Sequence, residues 1–198
     1  MKTLLALMIL LATPSLGFAE AVVGQTAPAF QVKDASGKSQ SLQDYAGQWV
    51  VLEWYNKDCP YVKKHYGSGN MQKLQKGYAA KNVKWLTVIS SAPGKQGYLD
   101  PAQALENAKQ AGSASNAILI DSTGTMGRAY GAKTTPHMYV IDPKGKLVYV
   151  GAIDDNNSAD PAVIASSKNY VAAALDAAMS GKAVEVTSSQ PYGCSVKY

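Results

Sequence analysis

Three stretches, Trp49 to Trp54, Val83 to Ile89 and Ala117 to Ile120, are almost unbroken runs of apolar residues. Each is far too short to cross a bilayer. None alternates apolar with polar in the way a strand with one wet face would, so each needs cover on both faces. The segments between them carry helical spacing and capping signals, and strands alternating with helices pack as a sheet with helices on both sides. Two turn-bounded pairs complete the pattern. Phe30 to Lys33 and Gln40 to Leu42 flank Asp34-Ala35-Ser36-Gly37-Lys38, and His137 to Ile141 and Leu147 to Val150 flank Asp142-Pro143-Lys144-Gly145. Both read as hairpins. The expected fold class is α/β, a central mixed sheet with helices on both faces.

The helix starts share one grammar. Asp100-Pro101 and Asp160-Pro161 each place an acidic N-cap before a proline. Proline suits the first helical position because its missing N–H would have had no partner there. Cys59-Pro60 repeats the pattern with sulfur where the carboxylate stands. A thiolate there faces the orphan amides of the first turn, those of Tyr61 and Val62, and the positive end of the helix dipole. Both lower a thiol's pKa, and the thiolate is the reactive form. The helix from Pro60 is expected to break at Gly67-Ser68-Gly69 and to be re-capped by Asn70. Further helices are expected from Pro101 to near Gly112, over Met126 to Tyr130, and from Pro161 to about Ser180, where Gly181 stops the last one.

The chain has 198 residues and a net charge of +5. It opens with Lys2, an apolar Leu4 to Ala12 and a small-residue site at Gly17-Phe18-Ala19, the layout of a cleaved export leader. Residues 1–19 are therefore set apart, and residues 20–183 are expected to form one domain. Residues 184–198 form a polar, turn-rich tail carrying Cys194. A periplasmic or secreted location follows. The lysines are scattered and Arg128 is the only arginine, so the clustered basic face of a nucleic-acid binder is missing. No later apolar run is long enough for a membrane span. Cys59 and Cys194 are the two cysteines, which allows one intramolecular disulfide in an oxidising compartment.

Several strings, in this order, resemble the thioredoxin fold and, within it, the redoxin branch of alkyl hydroperoxide reductases and thiol-specific antioxidants. Gly24-Gln25-Thr26-Ala27-Pro28-Ala29-Phe30 is similar to the redoxin opening. So is the run of Asp34, Gly37-Lys38, Leu42, Tyr45, Gly47 and Val50-Val51-Leu52. Tyr130-Gly131, Thr134-Thr135-Pro136 and Tyr139-Val140-Ile141-Asp142 resemble the proline loop and the strand after it. The resemblance implies that Cys59 is the attacking cysteine and that Pro136 is cis and packs opposite its sulfur. Two departures stand out. Cys59-Pro60-Tyr61-Val62 ends in valine where thioredoxins carry a second cysteine. Asn56 stands where peroxiredoxins place threonine or serine, and Pro136 falls where their peroxide-polarising arginine would lie.

The candidate site then comprises Cys59, Cys194 and Glu53 as chemical groups, with Pro60, Thr135, Pro136 and Lys63 around the substrate. Glu53 is a carboxylate inside an apolar strand, a costly placement that suits a proton-handling group of raised pKa. The resemblance puts it where thioredoxins keep a buried carboxylate beneath the sulfur. Lys63, one turn on from Cys59, is expected to hold the thiolate, with Asp58 opposing. Thr135 and Pro136 form the docking wall. Cys194, on a tail with no helix to hold it, is either a resolving thiol brought to Cys59 or half of a permanent disulfide worth about 4–5 kcal/mol. The corresponding functions are an exported thiol oxidoreductase acting on a disulfide-bearing protein or small peroxide and recharged by an external thiol, or a non-enzymatic binding module with a locked Cys59–Cys194 disulfide, serving as a copper carrier or a partner-docking domain. For the second, a copper carrier using cysteine with His65, His137 and methionine is the metal-binding form. His65 is expected to point away from Cys59, and His137 and Met138 to opposite sheet faces, so no metal is assigned. No organic cofactor is implied. Ser90 to Gly97 leaves the end of a strand as a candidate groove lining, and Asp154-Asp155-Asn156-Asn157 reads as a solvated turn.

Overall fold

The structure is a computed structural model and describes residues 21–198; the expected leader lies outside them. Five strands form the central sheet in the order β5-β4-β3-β7-β8. They are β3 (Trp49–Trp54), β4 (Val83–Ile89), β5 (Ala117–Ile120), β7 (His137–Ile141) and β8 (Leu147–Gly151). β3 pairs parallel with β4, and β4 with β5, while β7 runs antiparallel to both β3 and β8. β1 (Gln31–Lys33) and β2 (Ser39–Ser41) make the opening hairpin. Two of the apolar runs, β3 and β4, are the buried central strands their composition requires, while β5 is the sheet edge and only Leu119 in it is fully buried.

Each sheet face has its own core. On one face Val51, Tyr55, Trp85, Met138 and Tyr149 pack with helices α1 (Pro60–Gly67), α2 (Asn70–Ala79), α3 (Pro101–Gln110) and α5 (Tyr170–Met179). On the other, Val50, Leu52, Trp54, Leu119 and Tyr139 pack with Phe30 and with Met126 and Ala129 of α4 (Thr125–Ala129). Successive residues of β3 thus serve opposite cores, the period-two geometry of a pleated strand covered on both sides.

Two local expectations are corrected. Asn70 does not cap α2. Gly69 does, at φ +75°, where glycine has no steric penalty, while the Asn70 amide lies 2.8 Å from His65 Nδ1. The single helix expected from Pro161 to Ser180 is two pieces. A 3₁₀ turn, Pro161–Ser166, ends at an extended Ser167, and α5 restarts after Asn169, whose side chain accepts from the Ala172 N–H at 2.8 Å. The break lets Tyr170 N–H donate to the Ile153 carbonyl at 3.0 Å.

The tail also differs from its expected looseness. Val150 N–H donates to the Thr187 carbonyl and Ser189 N–H to that of Val150, both at 3.1 Å, so the strap runs along the edge of β8. It then crosses the molecule, where β9 (Cys194–Ser195) pairs antiparallel with β6 (Thr134–Thr135) in the register Thr135↔Cys194. Beyond it, Val196 N–H reaches the Lys133 carbonyl, Ala92 N–H the Lys197 carbonyl, and the Tyr198 hydroxyl the Ala132 carbonyl.

Candidate active site

Cys59 sits where β3 hands over to α1. The turn is built by Asn56, whose side chain accepts from the Asp58 N–H at 2.9 Å and whose carbonyl accepts from the Cys59 N–H at 3.1 Å. Cys59 is the N-cap of α1, with Pro60 exposed in the first turn. The residue is fully buried, at 0% exposure. Its thiol lies 3.0 Å from the Thr135 carbonyl, and the Cys194 N–H points at its sulfur from 3.4 Å. Thr135 and Pro136 are buried beside it, and the peptide between them is cis, as the resemblance implies.

Competing effects set the ionisation of this sulfur. Burial raises the Cys59 pKa. The Cys194 thiol, the Val62 N–H, the Cys194 N–H and the Thr135 hydroxyl lower it, and the net shift is downward. The Thr135 carbonyl works against them, since it accepts from the neutral thiol and repels a thiolate; the donors outnumber it. No first-turn amide closes a full capping hydrogen bond, so the helix start contributes less than its Cys-Pro grammar promises. The strap supplies the rest. Cys194, partly buried, moves the other way. Burial, then its hydrogen bond to Cys59 and that neighbour's charge, push its thiol up to about 11.

Glu53 is fully buried on the same sheet face as Cys59. Its Oε2 accepts from Trp85 Nε1 at 2.7 Å, the Tyr66 hydroxyl at 3.2 Å and the Gln75 amide at 3.4 Å. Its Oε1, like the hydroxyl of Thr87 at the paired position of β4, has no hydrogen-bond partner among the described residues. Burial outweighs the three donors and pushes the carboxyl up to about 7.

Lys63 is exposed, and its charge acts on Asp58 rather than on the sulfur. Its neighbour Lys64 is the buried lysine. Its ammonium donates to the Asn156 carbonyl at 2.8 Å and lies 3.4 Å from Asp154 Oδ2 and 3.5 Å from the Tyr192 hydroxyl. His65 Nε2 is 3.7 Å from the same Asp154 oxygen, and the Tyr192 hydroxyl donates a short bond to Asp154 Oδ1. Asp154 is therefore not part of a solvated turn but buried, at 3% exposure. The cluster holds Tyr192, two residues before Cys194, and Tyr192 also packs on the Tyr61 ring at 5.6 Å.

The remaining sequence candidates lie elsewhere. His137 is buried against Tyr139 and the Lys133 N–H. Arg128 donates to the Thr123 carbonyl and stacks on Tyr198. The Ser90–Gly97 loop packs on Asn56 and the end of the strap. No helix among the described residues is long and apolar enough to cross a membrane, and no three metal-ligating groups among them converge.

Residues 23–150, more than half of the chain and including Glu53, Cys59 and Pro136, match the AhpC/TSA family. The chain belongs to the AhpC/TSA family. It is 30% identical over 138 residues to the thioredoxin-like protein YneN of Bacillus subtilis, covering 66% of this chain and 72% of that one. It is 25% identical over 126 residues to the thiol-disulfide oxidoreductase ResA of Bacillus thuringiensis, covering 64% and 67%. A crystal structure of an uncharacterized conserved protein from Geobacillus kaustophilus superposes with a TM-score of 0.76 at 27% identity, covering 90% of this chain and 93% of that one. The fold of this AhpC/TSA member is thioredoxin-like.

The family match ends before the strap. Cys194 and Tyr192 lie beyond residue 150; the first is marked in the sequence by its chemistry, the second is not. The signal available was local: Tyr192 stands in Pro-Tyr-Gly-Cys, an aromatic residue beside a cysteine that needs an anchor. Lys64 and Asp154 gave no such signal, because each sits beside a like-charged, more exposed neighbour, Lys63 and Asp155.

Proposed function

We propose that this chain is an exported thiol–disulfide oxidoreductase that cycles between a Cys59/Cys194 dithiol and a Cys59–Cys194 disulfide. The observation that carries the reading is the antiparallel pairing of β9 with β6, which sets the Cys194 N–H 3.4 Å from the Cys59 sulfur, with Cys59 shifted toward the thiolate and Cys194 away from it. A pair so arranged holds one nucleophile and one proton-bearing partner in contact, the layout of a dithiol ready for exchange. Stabilising the Cys59 thiolate stabilises the reduced form, which makes the disulfide the more oxidising. Glu53, poised near neutrality in the same core, takes and returns the proton as the couple turns over. Thr135 and Pro136 wall the sulfur, and the electrons come from or go to a partner thiol protein, with no organic cofactor. The leader-like composition of residues 1–19 supports export. The names of the relatives, a thioredoxin-like protein and a thiol-disulfide oxidoreductase, support exchange over peroxide reduction. So does the placement of Arg128 on Thr123 and Tyr198, away from the sulfur.

The test is a redox titration of the full chain in glutathione buffers, followed by mass spectrometry of the intact protein. The expected result is reversible loss of two hydrogens with a midpoint above roughly −300 mV, the range of labile rather than structural bridges. Substituting serine at either cysteine should abolish turnover of a disulfide-bearing protein substrate. A bridge that survives below that potential would make it a permanent staple and the chain a binding module. Rapid hydrogen peroxide consumption, lost in Cys59→Ser, would move the chain to the peroxidases.

A further inference from the structure

We propose that partner thiols meet the oxidised couple at Cys194, and that Cys59 serves as the internal leaving thiolate. This rests on the two cysteines forming a working couple. Cys59 carries the thiolate-favouring pocket, yet it is the sulfur that nothing outside can touch. It is 0% exposed, with the Thr135 carbonyl on one side and the Cys194 amide on the other. The cover is a strand that pairs with β6 and is pinned on both sides. Upstream, Tyr192 is held by Asp154, Lys64 and His65. Downstream, Val196 and Lys197 bond to Lys133 and Ala92, and the Tyr198 ring fills space at Gly124 and Gly127 that any Cβ there would take. Reaching Cys59 from solvent means stripping this strap. Reaching Cys194, which is only partly buried, does not.

Leaving-group chemistry points the same way. Disulfide exchange is faster when the expelled thiol has the lower pKa. Attack at Cys194 expels Cys59, whose thiolate the pocket favours; attack at Cys59 would expel Cys194, whose thiolate its surroundings disfavour.

The steps balance. A partner thiolate attacks Cys194 Sγ, a partner–Cys194 disulfide forms, the Cys59–Cys194 bond breaks, and its electron pair remains on Cys59. A second thiolate of the partner then attacks the partner sulfur of that mixed disulfide. The partner's own disulfide forms, and Cys194 leaves and takes up a proton the partner released. Two partner thiols are oxidised and one protein disulfide is reduced.

The experiment uses the full oxidised chain and reduced glutathione as the probe thiol, with acid quench, denaturing alkylation of the freed thiol and peptide mapping at early times. The expected result is glutathione on Cys194 and the alkyl mark on Cys59, in at least roughly tenfold excess over the reverse, a ratio worth about 1.4 kcal/mol. Loosening the strap with Tyr192→Phe should raise the Cys59-linked share severalfold. An adduct mainly on Cys59 in the wild-type chain, with Cys194 alkylated, overturns the assignment while leaving the couple intact. A disulfide that glutathione never opens, or one that never forms, overturns the couple itself and the assignment with it.

Discussion

Replacing Glu53 with glutamine keeps the shape of the side chain but removes its titrating proton. The folded carboxyl is pushed from an ordinary 4.5 up to about 7 by burial, against the pull of Trp85, Tyr66 and Gln75. The sign follows from proton counting. Between pH 4.5 and 7 the folded protein holds a proton that the unfolded chain has released, so stability falls as pH rises through this window and levels off above it. At about 1.36 kcal/mol per pK unit, the full penalty is roughly 3 kcal/mol. Glutamine escapes it but brings an amide N–H₂ to the position of Oε1, which has no hydrogen-bond partner among the described residues, at a pH-independent cost of about 1–3 kcal/mol. The amide cost thus sets the level of the difference between variant and wild type, and the carboxyl sets its slope. Urea unfolding of both reduced proteins from pH 4 to 8 should show the variant gaining roughly 3 kcal/mol on the wild type between pH 4.5 and 7.5. His65 and His137, whose burial lowers them to about 4 and about 3, destabilise both proteins equally as pH falls below 6.5 and cancel in the comparison. A difference that changes by less than about 1 kcal/mol across that range would refute the reading of Glu53 as a carboxyl held protonated by burial.

Tyr192→Phe deletes the hydroxyl bonded to Asp154, a loss of about 1.5–3 kcal/mol for a bond to a charged group. To the extent that this energy holds Cys194 on Cys59, the disulfide potential should rise by roughly 20–60 mV, read in glutathione buffers. Gly193→Ala places a Cβ against the Thr135 carbonyl oxygen at φ +128°, so β9 should lift from β6 and iodoacetamide labelling of reduced Cys59 should accelerate by an order of magnitude or more. Lys64→Met leaves Asp154 buried without its cation and should cost roughly 3–5 kcal/mol. The double variant Lys64→Met/Asp154→Asn should recover part of that in urea unfolding, and no recovery would mean the two charges are not coupled.

The central sheet was legible because short apolar runs bounded by turn and cap signals read as strands, and the bounds of β3, β4, β5 and β7 match the structure residue for residue, although β5 is a partly exposed edge rather than a strand buried on both faces. The start of α1 was legible for the same kind of reason, since Cys59-Pro60 copies the Asp-Pro openings that cap α3 and the 3₁₀ turn at Pro161. The tail was not. A two-residue strand has no period to detect, and its partner Thr134–Thr135 lies 59 or more positions away in the chain. The break before α5 was hidden by an apolar stripe that continues through it, while Asn169, the residue that restarts the helix, carries no mark that distinguishes a cap from a surface asparagine until its acceptor role is seen. The burial of Lys64 and Asp154 was hidden most deeply, because neither lies in an apolar run of the kind that marks Glu53, and only the joint arrival of Asn156 and Tyr192 gives them a place inside.

The sulfur at the head of α1 and the amide that caps it are separated by 135 positions along the chain. The strap that joins them packs on strands of the finished sheet, and contacts so remote in sequence carry a large loop-closure cost. A molecule whose core has assembled but whose strap is still adrift would therefore present Cys59 bare and with a more ordinary acidity. In the proposed couple, closure would thus double as a readout of completed folding, since the shielded, acidified sulfur belongs to the molecule with its strap in place.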